Sequence, residues 1–131
     1  MKHIIIIVSV FFCFILFSGN KKLYSANGEA IYKTGKNLKG ELLLDKNAST
    51  IRFIKSCTAC HGKNGTRMKG VSIKFIDLSN ADILSVPYTD SLFFRFIDHD
   101  LKSDGTKANM GVIWRMSNAD KNDLLDYLKS L

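Results

Sequence analysis

Cys57-Thr58-Ala59-Cys60-His61, followed by Gly62, is the stretch of this chain whose residue types and spacing point to chemistry. It reads as a site for covalent attachment of a c-type haem. Each thiol would add across one haem vinyl group, and two intervening residues on a helical turn space the sulfurs to match. The adjacent imidazole of His61 would be the proximal iron ligand. A thioredoxin-like redox pair also uses Cys-x-x-Cys, but it sits near a βαβ pattern, and no alternation of strand and helix is visible here. A structural zinc site needs four ligands. Outside the motif the chain offers only Cys13, His3 and His99.

The elements around the motif read as helices and loops. Residues 27–35 (NGEAIYKTG) form a short helix with Ile31 and Tyr32 as apolar contacts and Gly35 as its stop. Residues 37–50 read as a loop or short extended segment, and Phe53 and Ile54 are expected to face the core or the haem. Residues 62–70 (GKNGTRMKG) are rich in glycine and charge and read as a loop over the haem edge. Ser79 to Leu84 is expected to be a short helix with Ser79 as N-cap and Asp82 completing a capping box. Thr89 caps a second helix, Asp90 to His99, with Leu92, Phe93, Phe96 and Ile97 at helical spacing. Asp104-Gly105 marks a turn in an irregular stretch from Lys102 to Val112. Ser117, with Asp120 in the capping-box position, opens the last helix, whose face carries Leu124, Leu128 and Leu131. No strand pattern appears, so the fold class is all-α.

The chain has 131 residues, room for one domain. Its start is of another kind. Met1-Lys2-His3 is a short basic opening, and Ile4 to Phe17 is apolar apart from Ser9. That run fits the core of a signal peptide better than a membrane span, which needs about 20 residues. Residues 1–26 are therefore read as a signal peptide, with residues 27–131 as the haem domain. Because Tyr24 is large where a small residue is preferred before cleavage, an uncleaved anchor is the alternative. Membrane association is expected only in that case. Cys13 lies inside the apolar run after Phe12 and reads as part of the signal. Without residues 1–26, Cys57 and Cys60 are the remaining cysteines, both consumed by haem. The mature chain keeps 16 basic against 12 acidic residues, a net charge of +4. This mild basic bias is no nucleic-acid signature.

Taken together, residues 28–131 resemble class I monohaem cytochromes c. One subset of that family opens on Gly-x-x-Ile-Tyr-x-x-Gly, matched by Gly28 to Gly35, followed by an inserted loop and the haem motif. The subset also has a Tyr-Thr before its middle helix, matched by Tyr88-Thr89. It ends in a Met-Pro-x-Trp-Arg-Met-Ser stretch and a terminal Tyr-Leu-Lys-x-Leu. Here these are Met110-Gly111-Val112-Ile113-Trp114-Arg115-Met116-Ser117 and Tyr127 to Leu131. The resemblance implies a small helical fold wrapped around one covalent haem c, with the N-terminal helix packed across the C-terminal one. It also implies methionine as second axial ligand, electron transfer between redox partner proteins, and haem attachment outside the cytoplasmic membrane. The expected location is thus the periplasm or another exported compartment. Two departures stand out. Gly111 replaces the proline that usually follows the ligand methionine, which would leave the loop less rigid. No proline lies between His61 and Pro87, so a different carbonyl must orient the proximal imidazole.

Met68, Met110, Met116 and His99 are the candidates for the sixth iron position. Met68 follows the motif too closely to cross to the other haem face. Met116 precedes an N-cap, where packing is the ordinary role. His99 ends a helix between two aspartates and reads as solvated. Met110 lies in an irregular loop and coincides with the family's ligand, so it is the choice. Lys55, Lys63, Arg67, Lys69 and Lys74 cluster around the motif, with Lys107 and Arg115 near the distal loop. Such a rim would steer partners with acidic docking surfaces, or it is simply a solvated face. Trp114 and Arg115 are candidates to bond a haem propionate, with core packing the alternative for Trp114. No nucleophile–base constellation is present, so the chain is not read as an enzyme. The competing reading is a haem-based sensor or gas-ligand-binding module with a displaceable sixth ligand.

Overall fold

The computed structural model describes residues 26–68 and 72–131. The apolar run assigned to a signal peptide, Cys13 and Lys69 lie outside the described residues. Among the described residues there are five helices and no strand: α1 (Asn27–Thr34), α2 (Cys57–His61), α3 (Phe75–Leu78), α4 (Asp90–His99) and α5 (Asn118–Ser130). The fold is all-α, and none of these helices is long and apolar enough to cross a membrane.

The ends of the longer helices follow from local chemistry. Gly35 stops α1 in the left-handed conformation, its N–H bonding the Ile31 carbonyl. The Thr89 hydroxyl accepts the Leu92 N–H at the start of α4. At α5 the Ser117 hydroxyl accepts the Asp120 N–H, while the Asp120 carboxylate accepts the Ser117 N–H. The full capping box is present, as the sequence indicates.

α1 lies against α5 at close range. A Cβ on Gly28 would overlap the backbone carbonyl of Asp123, so only glycine permits this approach. Tyr32 and Tyr127 stack at a tilt, with ring centroids 5.2 Å apart. The Asn27 amide donates to Asp120 at 3.1 Å and to Asp123 at 2.8 Å. Ile31, Tyr32, Leu124, Leu125 and Leu128 are buried beneath this crossing, and each such aliphatic or aromatic side chain contributes about 1.5–3 kcal/mol. Phe93 and Ile97 of α4 extend the same core. Lys121, itself buried, joins α5 to α4 through Asp98 at 2.7 Å.

Two local expectations are corrected. The helix expected over Ser79 to Leu84 forms one turn earlier, as α3, and Ser79 ends it. The Ser79 hydroxyl donates back to the Phe75 carbonyl at 2.8 Å, while the Asn80 side chain accepts the Asp82 N–H. These short polar side chains favour the turn over a continuing helix. Phe53 faces solvent, at 82% exposure, whereas Ile54 packs on the core. Successive residues of an extended segment point to opposite sides, so only one of the two can face inward.

The segment before the motif is a loop with turns at 38–39 and 46–48, tethered by isolated bridges. Lys36 bridges Leu42, and Leu44 forms an antiparallel bridge with Trp114, placing residues 43–51 beside the stretch that leads into α5.

Candidate cofactor site

Helix α2 is a single turn, and it carries Cys57 and Cys60 on one side because residues three apart share a helical face. Both cysteines are free thiols. Together with His61 they line a cavity of about 950 Å³ walled chiefly by apolar side chains, among them Ile54, Phe93 and Leu124. That volume is at the upper end of the range for small-molecule and cofactor sites.

Burial sets the protonation of the motif. It pushes the Cys57 thiol up to about 12, so the sulfur keeps its proton at neutral pH. It holds the His61 imidazole below its ordinary value, so the ring stays neutral with a lone pair to offer a metal. His61 Nδ1 is buried and has no hydrogen-bond partner, so among the described residues no carbonyl takes the orienting role expected from the sequence.

Met110 lies in the loop between α4 and α5 and lines the same cavity. Its N–H donates to the Asp100 carboxylate at 3.3 Å. Of the other candidates, Met68 also lines the cavity, although 46% exposed. Met116 packs on the core away from the cavity, and His99 is exposed and outside it. Gly111 has φ +70°, a value closed to proline, and its carbonyl accepts the Ile51 N–H at 2.8 Å. The glycine is therefore demanded by the turn, and the loop is tethered in spite of it.

Trp114 is buried and lines the cavity, while Arg115 turns away to pair with Asp45 at 2.6 Å. The two residues proposed for a propionate thus part company. The polar lining on this side is instead formed by Tyr88, Lys102, Ser103, Asn109 and the acid Asp104. Arg95 steadies this wall, donating to the carbonyls of Lys102 at 2.9 Å and Ser103 at 3.1 Å. Burial raises the Tyr88 phenol above its usual range, keeping it a hydrogen-bond donor. Tyr88-Thr89 was visible as a sequence element, but nothing in the irregular stretch marked Lys102 or Ser103. Of the expected basic rim, Lys55, Lys63 and Arg67 are exposed, Lys74 is half-buried, and Lys107 bonds the His99 carbonyl.

These residues fit a covalently held haem. Two thiols, a neutral imidazole and a thioether open onto one large apolar cavity, and a polar wall offers donors to carboxylates. Compared with known proteins, the chain matches no family model, no curated protein and no solved structure.

Proposed function

We propose that this protein is an exported monohaem c-type cytochrome that carries single electrons between redox partners, as a soluble carrier or as the small haem subunit of a redox complex. The observation that carries the reading is the meeting of Cys57, Cys60, His61 and Met110 on one cavity. Haem c bound there supplies a one-electron ferric–ferrous iron couple. The chain does the rest. Cys57 and Cys60 hold the group by thioether bonds, His61 and Met110 offer nitrogen and sulfur to the iron, and the apolar wall keeps water away. Tyr88, Ser103 and Lys102 offer donors to the propionates, replacing the Arg115 reading. Lys55, Lys63 and Arg67 present positive charge to partners with acidic docking surfaces; nucleic acid has no part. The signal segment takes the chain out of the cytoplasm, to the periplasm in a bacterial cell.

A haem-based sensor with a displaceable sixth ligand has one observation in its favour. His61 Nδ1 lacks the acceptor that normally orients a ligating histidine and raises its basicity. Expression in a host able to attach haem tests both readings. The mature protein should weigh one haem more than its polypeptide, and a bare polypeptide mass would refute haem attachment. Slow carbon monoxide binding to the reduced protein supports the carrier, and rapid binding supports the sensor.

A further inference from the structure

Residues 43–45 pair antiparallel with residues 113–115 through the Leu44–Trp114 bridge, and after a turn at 46–48 residues 49–51 meet the same stretch again at Ile113 and Gly111. The Arg115 N–H donates to the Leu43 carbonyl at 2.8 Å and the Asp45 N–H to the Ile113 carbonyl at 2.9 Å. At the far end the Gly111 carbonyl accepts the Ile51 N–H at 2.8 Å and the Thr50 hydroxyl at 3.3 Å. Ser49, 2% exposed, closes the middle. Its hydroxyl donates to the Asp45 carbonyl at 2.6 Å and accepts the Ile113 N–H at 2.9 Å. The Asp45 carboxylate accepts the Asn47 and Ala48 N–H groups on one oxygen and Arg115 Nε at 2.6 Å on the other.

The alternation along the loop gives this pairing its meaning. Met110, Val112 and Trp114 line the cavity, while Gly111, Ile113 and Arg115 carry the bonds to residues 43–51. The peptide at Met110 is pinned on both flanks, by Asp100 before it and by Ile51 through Gly111 after it. We propose that residues 43–51 are a strap that fixes the Met110 loop against the cavity, with Ser49 and Asp45 as its positioning residues. The strap supplies the restraint that a proline at 111 would otherwise give. The consequence for iron ligation rests on the reading of Met110 as the sixth ligand; the restraint on the loop does not.

The test uses the haem-loaded protein. Ser49→Ala leaves the Ile113 N–H without its acceptor, and Asp45→Ala removes the carboxylate that organises the turn. Each should speed amide hydrogen exchange in residues 110–115 by about tenfold or more, the effect of losing one buried hydrogen bond. Each should also weaken the far-red methionine-to-iron band and speed carbon monoxide binding. Lys129→Ala, which cuts the α5–α4 pair with Asp90 and touches neither residues 43–51 nor 110–115, is one comparison, and Asn27→Ala, which cuts the α1–α5 bonds and the bond from the Leu38 N–H, is a second: both should loosen the helices without singling out this loop. Where Ser49→Ala fails to fold, Asp45→Asn, which keeps one oxygen to accept the Asn47 and Ala48 N–H groups but sets an amide donor against Arg115 Nε, gives the same readouts in milder form. Exchange in 110–115 that is unchanged, or raised only in step with the helices as in Lys129→Ala and Asn27→Ala, overturns the strap. Faster local exchange in a protein whose unaltered form lacks the methionine band supports the strap and refutes Met110 as ligand.

Discussion

The Tyr32 hydroxyl donates a 2.6 Å hydrogen bond to the carbonyl of Gly62, joining the first helix to the residue directly after the motif. Tyr32 is fully buried and lines the cavity. Burial, then the nearby Cys57 and Tyr127, push its phenol from 10.0 up to about 12. It remains a donor at every physiological pH.

Tyr32→Phe leaves the Gly62 carbonyl without this donor and should cost about 1–2 kcal/mol, read from denaturant unfolding. Because the folded pKa is raised, the phenol's contribution is whole below pH 10 and is lost as pH rises through about 12. The alkaline limb of a stability-versus-pH curve should therefore be shallower in Tyr32→Phe than in the unaltered protein. Equal limbs would show that the phenol is not perturbed by its site.

Met110→Ala should abolish the weak far-red methionine-to-ferric-iron band and lower the reduction potential, because a thioether favours ferrous iron. Met116→Ala should leave the band in place, since Met116 lies off the cavity. Met68→Ala should do so too, and it is the sharper comparison because Met68 also lines the cavity. A band that survives Met110→Ala and vanishes in Met68→Ala would reassign the ligand.

Gly111→Pro, which restores the family's residue, should destabilise the protein. Proline fixes φ near −65° against the observed +70°, so the loss should be about 3 kcal/mol. Added side-chain atoms would also crowd Thr50 and Ile51. Thermal unfolding of the variant at equal haem loading measures this, and a gain in stability would contradict the observed turn.

Asp120 carries the acid dependence of the α1–α5 crossing. Burial raises its pKa, but hydrogen bonds from Ser117 and Asn27 outweigh that and hold the carboxyl below its usual range. A lowered folded pKa means stability present above the unfolded value and lost as pH falls through the folded one. Asp120→Asn should cost about 1–2 kcal/mol at neutral pH and flatten the acid limb of the same curve. A variant that unfolds in acid along an unchanged limb would rule this out.

What was legible in the sequence was local. Gly35, Thr89, Ser117 and Asp120 act within a few residues of their own position, so their types reveal the helix ends without knowledge of the rest of the fold. Ser79 illustrates the limit of such signals, since the same short hydroxyl can open a helix or close one by bonding back to the carbonyl of Phe75. The motif announced its own cavity residues, yet Tyr88, Lys102 and Ser103 have no spacing that marks them. The strap was less visible still. Ser49 meets Ile113, 64 positions further along the chain, and no periodic pattern connects them. Asp45 likewise reads as a loop aspartate until Arg115 is beside it.

The seat of α1 on α5 has a consequence in time. Asn27 and Asp123 are 96 positions apart, so a chain emerging from its N-terminus carries α1 without a partner until almost everything else has appeared. Closing so long a loop is slow compared with forming the single turn of α2. During that interval Cys57 lacks the burial that raises its pKa, and both thiols lie open to whatever enzyme or group approaches them. Once the two helices meet, the cavity has its roof. Any group to be attached at Cys57 and Cys60 has its easiest entry before the ends of the domain close over it.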